Sequence, residues 1–393
     1  MAGFRELLAE TRENITETDV AGAADMLASG ARLLDVREPD EVASGSIAGS
    51  VFIPRGLLET SIEAQLPDRS GTIVVMCAAG TRSAFAAKTL AELGYTSVVS
   101  LAGGFDAWKG AGNPWGEPEA LTMEQRARYQ RHLNLPEIGE VGQMVLLNSK
   151  VLLLGAGGLG SPAALYLAAA GVGTLGIVDM DVVDASNLQR QVIHNLDRIG
   201  TLKVDSAADT IRRLNPDVEV RTHPVKLDAS NVLDLIDGYD VIIDGADNFP
   251  ARYVLNDASV KLGIPVVHGS IFRFEGQVTV FDPRSGPTYR DMLPIPPAPE
   301  SAPNCAVAGV LGVLPGIVGS IQAVEAIKLL VGLGDPLVGR LLVFDALDMS
   351  FSEYALVIDA DNPVTYDNRD AIEITELEGL CAPVMSSTPG ASG

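Results

Sequence analysis

Short apolar runs of strand type recur along this chain, separated by stretches whose apolar positions fall at helical spacing. Residues 32–36, 72–76 and 97–101 read as strands, and residues 84–93, between the last two, read as a helix. That alternation predicts an α/β module. From residue 151 the same grammar repeats on a larger scale: strand 151–154, helix 162–170, strand 175–178, then later strands at 241–243 and 266–267. Strand and helix alternation implies a mostly parallel, doubly wound sheet, because a helical crossover is what returns the chain to the start of a parallel neighbour. Between the modules, residues 110–119 (Gly-Ala-Gly-Asn-Pro-Trp-Gly-Glu-Pro-Glu) concentrate Gly, Pro and acid and mark a boundary. Thr122 and Gln125 stand at capping-box spacing ahead of a helix that carries Arg126, Arg128 and Arg131. The pattern divides the chain into 1–116, 117–358 and an acidic tail, 359–393, expected to be partly flexible and frayed. Residues 283–304 are Pro-rich and irregular, a length that in compact domains usually marks a functional loop.

Length supports the division, since 393 residues exceed the roughly 250–300 at which one hydrophobic core stops growing. Hydrophobic residues at 47% and charged ones at 20% suit globular domains rather than a disordered polymer. The formal charge of -23 repels phosphate backbones and anionic membranes, and no segment is basic enough to offset it. A protein or small-molecule partner is therefore expected, not nucleic acid or a membrane. Three widely separated cysteines, Cys77, Cys305 and Cys381, build no disulfide framework and point to a reducing compartment. The opening stretch carries Arg5, Glu6, Glu10, Arg12 and Glu13 and so lacks the apolar core of a secretory signal; the expected location is the cytoplasm. Two charge-free stretches, 151–178 and 306–324, are long enough to suggest membrane spans, but glycines and prolines break both.

In the first module the strand 72–76 runs directly into Cys77-Ala78-Ala79-Gly80-Thr81-Arg82-Ser83, and a helix follows. A cysteine so placed sits where backbone N–H groups and a helix N-terminus converge, a position that favours an anion. With such donors and Arg82 nearby, a thiol that ordinarily titrates at about 8.5 is expected to ionise at neutral pH. A thiolate can attack sulfur and hold it as a persulfide. A strand-end cysteine with only a packing role is the plainer reading, and the spacing of Gly80 and Arg82 argues against it. The surrounding strings are Leu34-Asp35-Val36-Arg37-Glu38, Gly45-Ser46-Ile47-Ala48-Gly49-Ser50, the 77–82 loop and Leu101-Ala102-Gly103-Gly104-Phe105-Asp106-Ala107-Trp108. Together they resemble a rhodanese domain across nearly all of 1–115. The resemblance implies that Cys77 carries the persulfide, that Arg82 orders the loop, and that Asp35 and Arg37 form a structural pair. Ser46 departs from the His common at its place. Related phosphatase loops are one residue longer than 77–82, which makes phosphate the less favoured ligand.

In the second module Gly155-Ala156-Gly157-Gly158-Leu159-Gly160 follows a strand and opens a helix. Asp179 closes the next strand about 20 residues on, where a ribose-binding acid belongs. Alone, this says only nucleotide, and a nicotinamide-dependent oxidoreductase would carry it too. The discriminating residues are Ser186-Asn187-Leu188-Gln189-Arg190-Gln191, Lys203 and Asp244-Gly245-Ala246-Asp247-Asn248. They supply two cations and a carboxylate. Attack of a carboxylate on an α-phosphate builds negative charge and expels pyrophosphate; Arg and Lys clamps with a carboxylate-held magnesium stabilise that charge. Hydride transfer needs no such clamp. Surface ion pairs are the plainer reading of either cation taken alone. A non-catalytic scaffold is hard to reconcile with Cys77, Arg82, Arg190, Lys203 and Asp247 all being present.

Over 121–356 the strings Arg128-Tyr129-Gln130-Arg131-His132, the glycine turn, Asp179-Met180-Asp181, Asn187-Leu188-Gln189-Arg190-Gln191, Ala246-Asp247-Asn248 and 305–325 resemble the MoeB/ThiF family of ubiquitin-activating-type adenylyltransferases. The implied architecture is a small rhodanese-like α/β domain followed by a Rossmann-like doubly wound adenylyltransferase. By position, the resemblance implies that Gly158 and Asp179 hold adenosine and that Asn187, Arg190 and Lys203 hold the phosphates. It places Ser186 and Asn248 among the nucleotide-binding residues and gives Asp247 the magnesium that accompanies ATP. Arg131 would reach into a partner subunit's phosphate site, which implies a homodimer. Cys305 stands where some relatives form a thioester or acyl disulfide with the carrier, and a packing role before the apolar stretch 310–330 is an equal alternative. Many relatives hold a structural zinc with two Cys-x-x-Cys pairs. Here the first place reads Thr288-Tyr289-Arg290-Asp291 and the second lies in the cysteine-free stretch 361–366, so no zinc is expected.

The implied reaction has two stages. The C-terminal carboxylate of a small ubiquitin-like sulfur carrier, expected to end in Gly-Gly, attacks the α-phosphate of ATP. Persulfide sulfur on Cys77, loaded from thiosulfate or by a cysteine desulfurase, then displaces AMP and yields a thiocarboxylate once the disulfide is resolved. Nothing in the sequence chooses among molybdopterin, thiamine, cysteine and thiolated-tRNA pathways.

Overall fold

The computed structural model describes residues 3–116, 121–296 and 309–376. The chain divides into two units, Met1–Thr122 and Met123–Gly393. In the first, β1 (Thr16–Thr18), β2 (Arg32–Asp35), β3 (Val51–Phe52), β4 (Ile73–Met76) and β5 (Val98–Leu101) form a parallel sheet in the order β1-β5-β4-β2-β3. The middle strand, β4, is buried on both faces. Ile73 and Val75 join Leu34, Val36 and Leu90 on one side, while Val74 and Met76 join Leu33, Leu101 and Trp108 on the other. A strand covered twice must be apolar throughout, which is why 72–76 shows no alternation. The helix after it, Thr81–Glu92, starts directly behind Gly80 rather than at residue 84. Polar Thr81, Arg82 and Ser83 hid that first turn from the apolar pattern, although Ser83 is fully buried and hydrogen-bonded to Ser100.

In the second unit β6 (Lys150–Leu154), β7 (Thr174–Val178), β8 (Glu219–His223), β9 (Val241–Asp244), β10 (Val266–Phe272), β11 (Glu275–Phe281), β12 (Arg340–Asp345) and β13 (Ser350–Ala355) form one sheet among the described residues. Its order is β13-β12-β11-β10-β9-β6-β7-β8. The half from β8 to β10 is parallel, as expected of a doubly wound sheet. After β6 the chain moves outward to β7 and β8 and then crosses back to β9. The carboxyl ends of β6 and β9 therefore flank a topological switch point, the place where open α/β sheets bind ligands.

The other half was not foreseen. The expected strand at 266–267 is the start of Val266–Phe272, which turns back at Arg273 (φ 54°) to pair antiparallel with β11, and β12 and β13 extend the ribbon. Val278 and Val280 of β11 pack with Leu314 and Val318 of the helix Leu314–Val331. That helix is apolar and long enough to cross a membrane. Its buried Gln322, however, donates to the Asp244 and Val267 carbonyls at 2.9 and 3.0 Å, and its buried Glu325 accepts from Leu337 N–H at 2.7 Å. Polar side chains buried and hydrogen-bonded within the protein mark a core helix. The other charge-free stretch folds as β6, the glycine turn, the helix Gly160–Ala170 and β7.

The tail expected to fray from residue 359 is docked through Glu376. Asp359 N–H and Asn362 Nδ2 both donate to Asp291 Oδ1 at 2.9 Å, and Lys261 Nζ donates to the Ile372 carbonyl at 2.9 Å. Buried Ile372 and the partly buried Ile374 add apolar contact, but two isolated isoleucines among polar residues give no periodic pattern to read.

Candidate active sites

Cys77 follows β4 and is 1% exposed. Its Sγ accepts from Gly80 N–H at 3.1 Å and lies 3.5 Å from Ser83 Oγ, which accepts from Ser100 Oγ at 3.1 Å. Gly80 is left-handed (φ 85°), and a Cβ there would lie 2.8 Å from Gly103 N, so the turn requires glycine. Phe105 and Asp106 donate their N–H groups to the Cys77 and Ala78 carbonyls at 2.8 and 3.0 Å. The loop is thus braced from the helix Gly104–Gly110 as well as from Thr81–Glu92. The Gly80 N–H aimed at the sulfur suits a sulfur anion.

Arg82, expected to order the loop, pairs through its guanidinium with an acid that sequence reasoning missed. Its Nη1 and Nη2 donate to the two Glu41 oxygens at 2.6 Å each, and Glu38 stands 3.9 Å away. Among the described residues it makes no hydrogen bond to Cys77. The Arg82 hydrogen bond holds the Glu41 carboxyl down to about 2, from an ordinary 4.5. Such a group contributes stability above about 4.5 that is lost as pH falls through about 2. Glu41 and Arg82 are 30% and 32% exposed, so solvent screening discounts the pair to about 1–2 kcal/mol. Glu41→Gln is expected to lower stability by that amount at neutral pH, with the gap from wild type narrowing as acid is added below about pH 4.5. Chemical denaturation across pH measures it, and a gap flat with pH would count against the pair. Beneath it, Arg37 donates to Asp35 at 2.6 Å and to the Gly45 carbonyl at 2.8 Å, with its guanidinium 3.9 Å from the Phe105 ring centre. Both charges are buried, as befits a structural pair.

In the second unit, β6 runs into the glycine turn and the helix Gly160–Ala170. A Cβ at Gly160 would lie 1.9 Å from the Gly155 carbonyl oxygen, so the close approach requires glycine. Ala156 N–H and Asp181 N–H donate to the two Asp179 oxygens at 2.9 Å each, which seats the acid against the turn at the end of β7. Gly245 N–H donates to the Leu154 carbonyl at 3.0 Å and sets Asp247 and Asn248 along the same edge. The sheet alone therefore gathers Gly158, Asp179, Asp247 and Asn248.

The remaining expected ligands come from the segment after β7. Arg190 crosses the turn, its Cδ 3.7 Å from where a Gly158 Cβ would be. Lys203 Nζ pairs with Asp181 at 2.7 Å. Three polar side chains already order their own loops. Ser186 Oγ donates to Asp184 at 2.6 Å, Asn187 Oδ1 accepts from Asp184 N–H at 3.1 Å, and Asn248 Oδ1 caps the helix Phe249–Leu262 through Ala251 N–H at 3.0 Å. Asp247 is exposed, and its carboxylate accepts only from Asn248 Nδ2, at 3.1 Å, among the described residues. An oxygen so free fits a hard cation. Arg131 is exposed on the helix Met123–Leu133 and forms no ion pair among the described residues. Cys305 and Cys381 lie outside the described residues.

Buried groups behind the turn escaped the sequence reading. His194 bridges Ala156 O and Ser206 Oγ at 2.9 Å each, and burial lowers its pKa, so it serves as a neutral brace. His268 Nδ1 meets Asp244 Oδ2 at 2.7 Å. Ala246 N–H donates to Asp244 Oδ1 at 2.9 Å, and Arg252 Nη2 donates to Ala246 O at 2.7 Å, so the residue ahead of Asp247 is held at both its polar groups. Burial works to raise the Asp244 carboxyl, but the Arg252 charge and the His268 hydrogen bond hold it below the usual range.

These sites define a class: a braced, buried cysteine on a small parallel-sheet domain, carried in one chain with a nucleotide-type switch-point domain. The ThiF family model matches residues 129–363, and that of the rhodanese-like domain matches residues 19–111. The chain belongs to the ThiF family and carries a rhodanese-like domain ahead of the ThiF region. It is 49% identical over 284 residues to a probable adenylyltransferase/sulfurtransferase MoeZ of Mycobacterium tuberculosis, covering 71% of each chain. It is 51% identical over 264 residues to the SAMP-activating enzyme E1 of Haloferax volcanii, covering 67% of this chain and 97% of that one. A sulfur carrier protein adenylyltransferase of Thermus thermophilus is 45% identical over 265 residues, 66% of this chain and 98% of its own. The crystal structure of E. coli MccB with ATP has a TM-score of 0.53 at 19% identity, covering 63% of this chain and 76% of that one, a likeness of fold.

Proposed function

We propose that this chain adenylates the C-terminal glycine carboxylate of a small ubiquitin-like sulfur-carrier protein with ATP. Sulfur then moves from a Cys77 persulfide onto that carbonyl to give a thiocarboxylate. The observation that carries the reading is the joint presence of the braced Cys77 loop and a switch-point site holding Arg190, Lys203 and an unencumbered Asp247. The names of the MoeZ and Thermus relatives support it.

In the first stage a carrier carboxylate oxygen attacks the α-phosphorus, pyrophosphate leaves, and an acyl-adenylate remains. Arg190 and Lys203 draw off phosphate charge, and the N-terminus of Gly160–Ala170 adds backbone donors. Asp247 would hold magnesium, whose charge offsets that of the departing pyrophosphate. In the second stage the terminal sulfur on Cys77 attacks the acyl carbon and AMP leaves, which joins carrier and Cys77 through a disulfide. A thiol then attacks the Cys77 sulfur, the thiocarboxylate departs, and a second thiol reduces the mixed disulfide left behind. Thiosulfate or a cysteine desulfurase supplies the sulfur. Cys305 is a candidate for a covalent carrier intermediate, and Arg131 for a phosphate contact across a homodimer. The setting proposed is the cytoplasm, where thiols stay reduced. Incubation with a carrier ending in Gly-Gly, MgATP and a sulfur donor is expected to give thiocarboxylate by intact-protein mass spectrometry. Neither adenylate nor thiocarboxylate on any carrier that co-purifies with the chain would defeat the proposal.

No structural zinc is part of it. Asp291 joins the two places at issue: Oδ2 accepts from Thr288 N–H and Oγ1 at 2.6 and 2.8 Å, and Oδ1 from Asp359 N–H and Asn362 Nδ2. Arg290 pairs with Asp257 at 2.7 and 2.8 Å beside it. Asp291→Ala strips four donors of their acceptor and is expected to cost about 2–4 kcal/mol, read as a lower Tm. Chelators should leave the wild-type Tm unchanged, and elemental analysis should find far less than stoichiometric zinc. Stoichiometric zinc, or an unmoved Tm in the variant, would show the clasp to be misassigned.

A further inference from the structure

Gln191 ends the motif Asn187-Leu188-Gln189-Arg190-Gln191 and takes no part in the chemistry proposed for Arg190, Lys203 and Asp247. It is 4% exposed, its side-chain amide makes no hydrogen bond among the described residues, and its Oε1 is enclosed without a partner. Its backbone is fixed, since its N–H donates to the Asn187 carbonyl at 2.9 Å and its carbonyl accepts from His194 N–H at 3.1 Å. The side chain therefore points where that short turn aims it. Nε2 stands 3.8 Å from the point a Gly157 Cβ would occupy, and beyond the turn's own flanking residues no other described atom lies within 4 Å of that point. An unpartnered buried amide thus borders open space over the glycine turn, at the N-terminus of Gly160–Ala170. Arg190, the preceding residue, lies against Gly158 of the same turn.

We infer that Gln191 contacts the bound nucleotide, its Nε2 donating to an ATP phosphate oxygen seated over the glycine turn. This rests on the reading of the turn as the nucleotide site. Phosphate oxygen is an acceptor only, and an amide N–H is a donor with nothing else to meet here. The enclosed Oε1 is a burden on the free protein, because an unmade hydrogen bond in a buried place destabilises the fold. A group kept at a cost in the free state and useful in the bound one leaves a signature of opposite signs.

Gln191→Met keeps the length of the side chain and removes both polar atoms. Its nucleotide-free melting temperature in the full chain is expected to equal or exceed that of wild type, while the Kd for MgATP by isothermal titration calorimetry rises about tenfold, the worth of one hydrogen bond to a charged acceptor. Gln191→Glu puts an anion against the phosphates and should weaken binding further than the Met variant does. An unchanged Kd in the Met variant, or weaker binding with a lower melting temperature in both variants, would make Gln191 a packing residue and overturn the inference. Arg190→Ala separates the two levels. If wild type does not bind MgATP, or Arg190→Ala binds it as tightly, the nucleotide reading itself fails. If Arg190→Ala binds weakly and Gln191→Met binds normally, only the role given to Gln191 fails.

Discussion

Replacing Asp247 by Ala is expected to cut carrier-dependent ATP–pyrophosphate exchange by about 10²–10³-fold, the usual effect of removing a group that stabilises transition-state charge. Thiosulfate sulfurtransferase activity should stay in place, because Cys77 and its braces belong to the other unit. The fold should tolerate the change. Asp247 is exposed, its carboxylate supports only the Asn248 amide, and the Asn248 cap on Phe249–Leu262 uses the opposite atom. The Ala246 backbone remains clamped by Asp244 and Arg252. A loss of exchange with an unaltered Tm therefore assigns the effect to chemistry. Unchanged exchange would remove the nucleotide assignment.

Cys77→Ala tests the sulfur path. Among the described residues Cys77 is the one cysteine, and its sulfur alone meets the Gly80 donor. Persulfide formation and thiocarboxylate yield should both fall to background. Adenylation depends on the other unit's residues, so acyl-adenylate should accumulate and pyrophosphate exchange should continue. Cys305→Ala should keep the Cys77 persulfide, and product should drop only if a covalent carrier intermediate is required. Intact-protein mass spectrometry of the carrier reads the thiocarboxylate yield of both variants, since sulfur in place of oxygen raises its mass. Full thiocarboxylate yield from the Cys77 variant, with thiosulfate as sole donor, would refute the path.

The features legible from residue order alone are local and contiguous. The apolar strand 72–76 ending on Cys77, the glycine turn behind 151–154, and Asp179 at the next strand end all follow from backbone rules that act within a few residues. Glycine is demanded where a Cβ would strike a neighbouring turn, and strand ends are marked by where apolar runs stop. Those rules placed the Cys77 loop and the Gly155–Gly160 turn at the right ends of the right strands.

Tertiary structure decided which side chains meet. Arg82 finds Glu41 across 41 residues, Asp244 finds His268 across 24, and Asp291 holds Asp359 across 68. It decided as well that β10 doubles back into an antiparallel ribbon, that the polar stretch 359–376 docks, and that the Gln191 amide is left without a partner. The physical reason is the same throughout. Hydrophobic periodicity reports which face of an element leaves water, whereas a hydrogen bond needs two groups within about 3 Å, and that distance is set only when every element between them has packed.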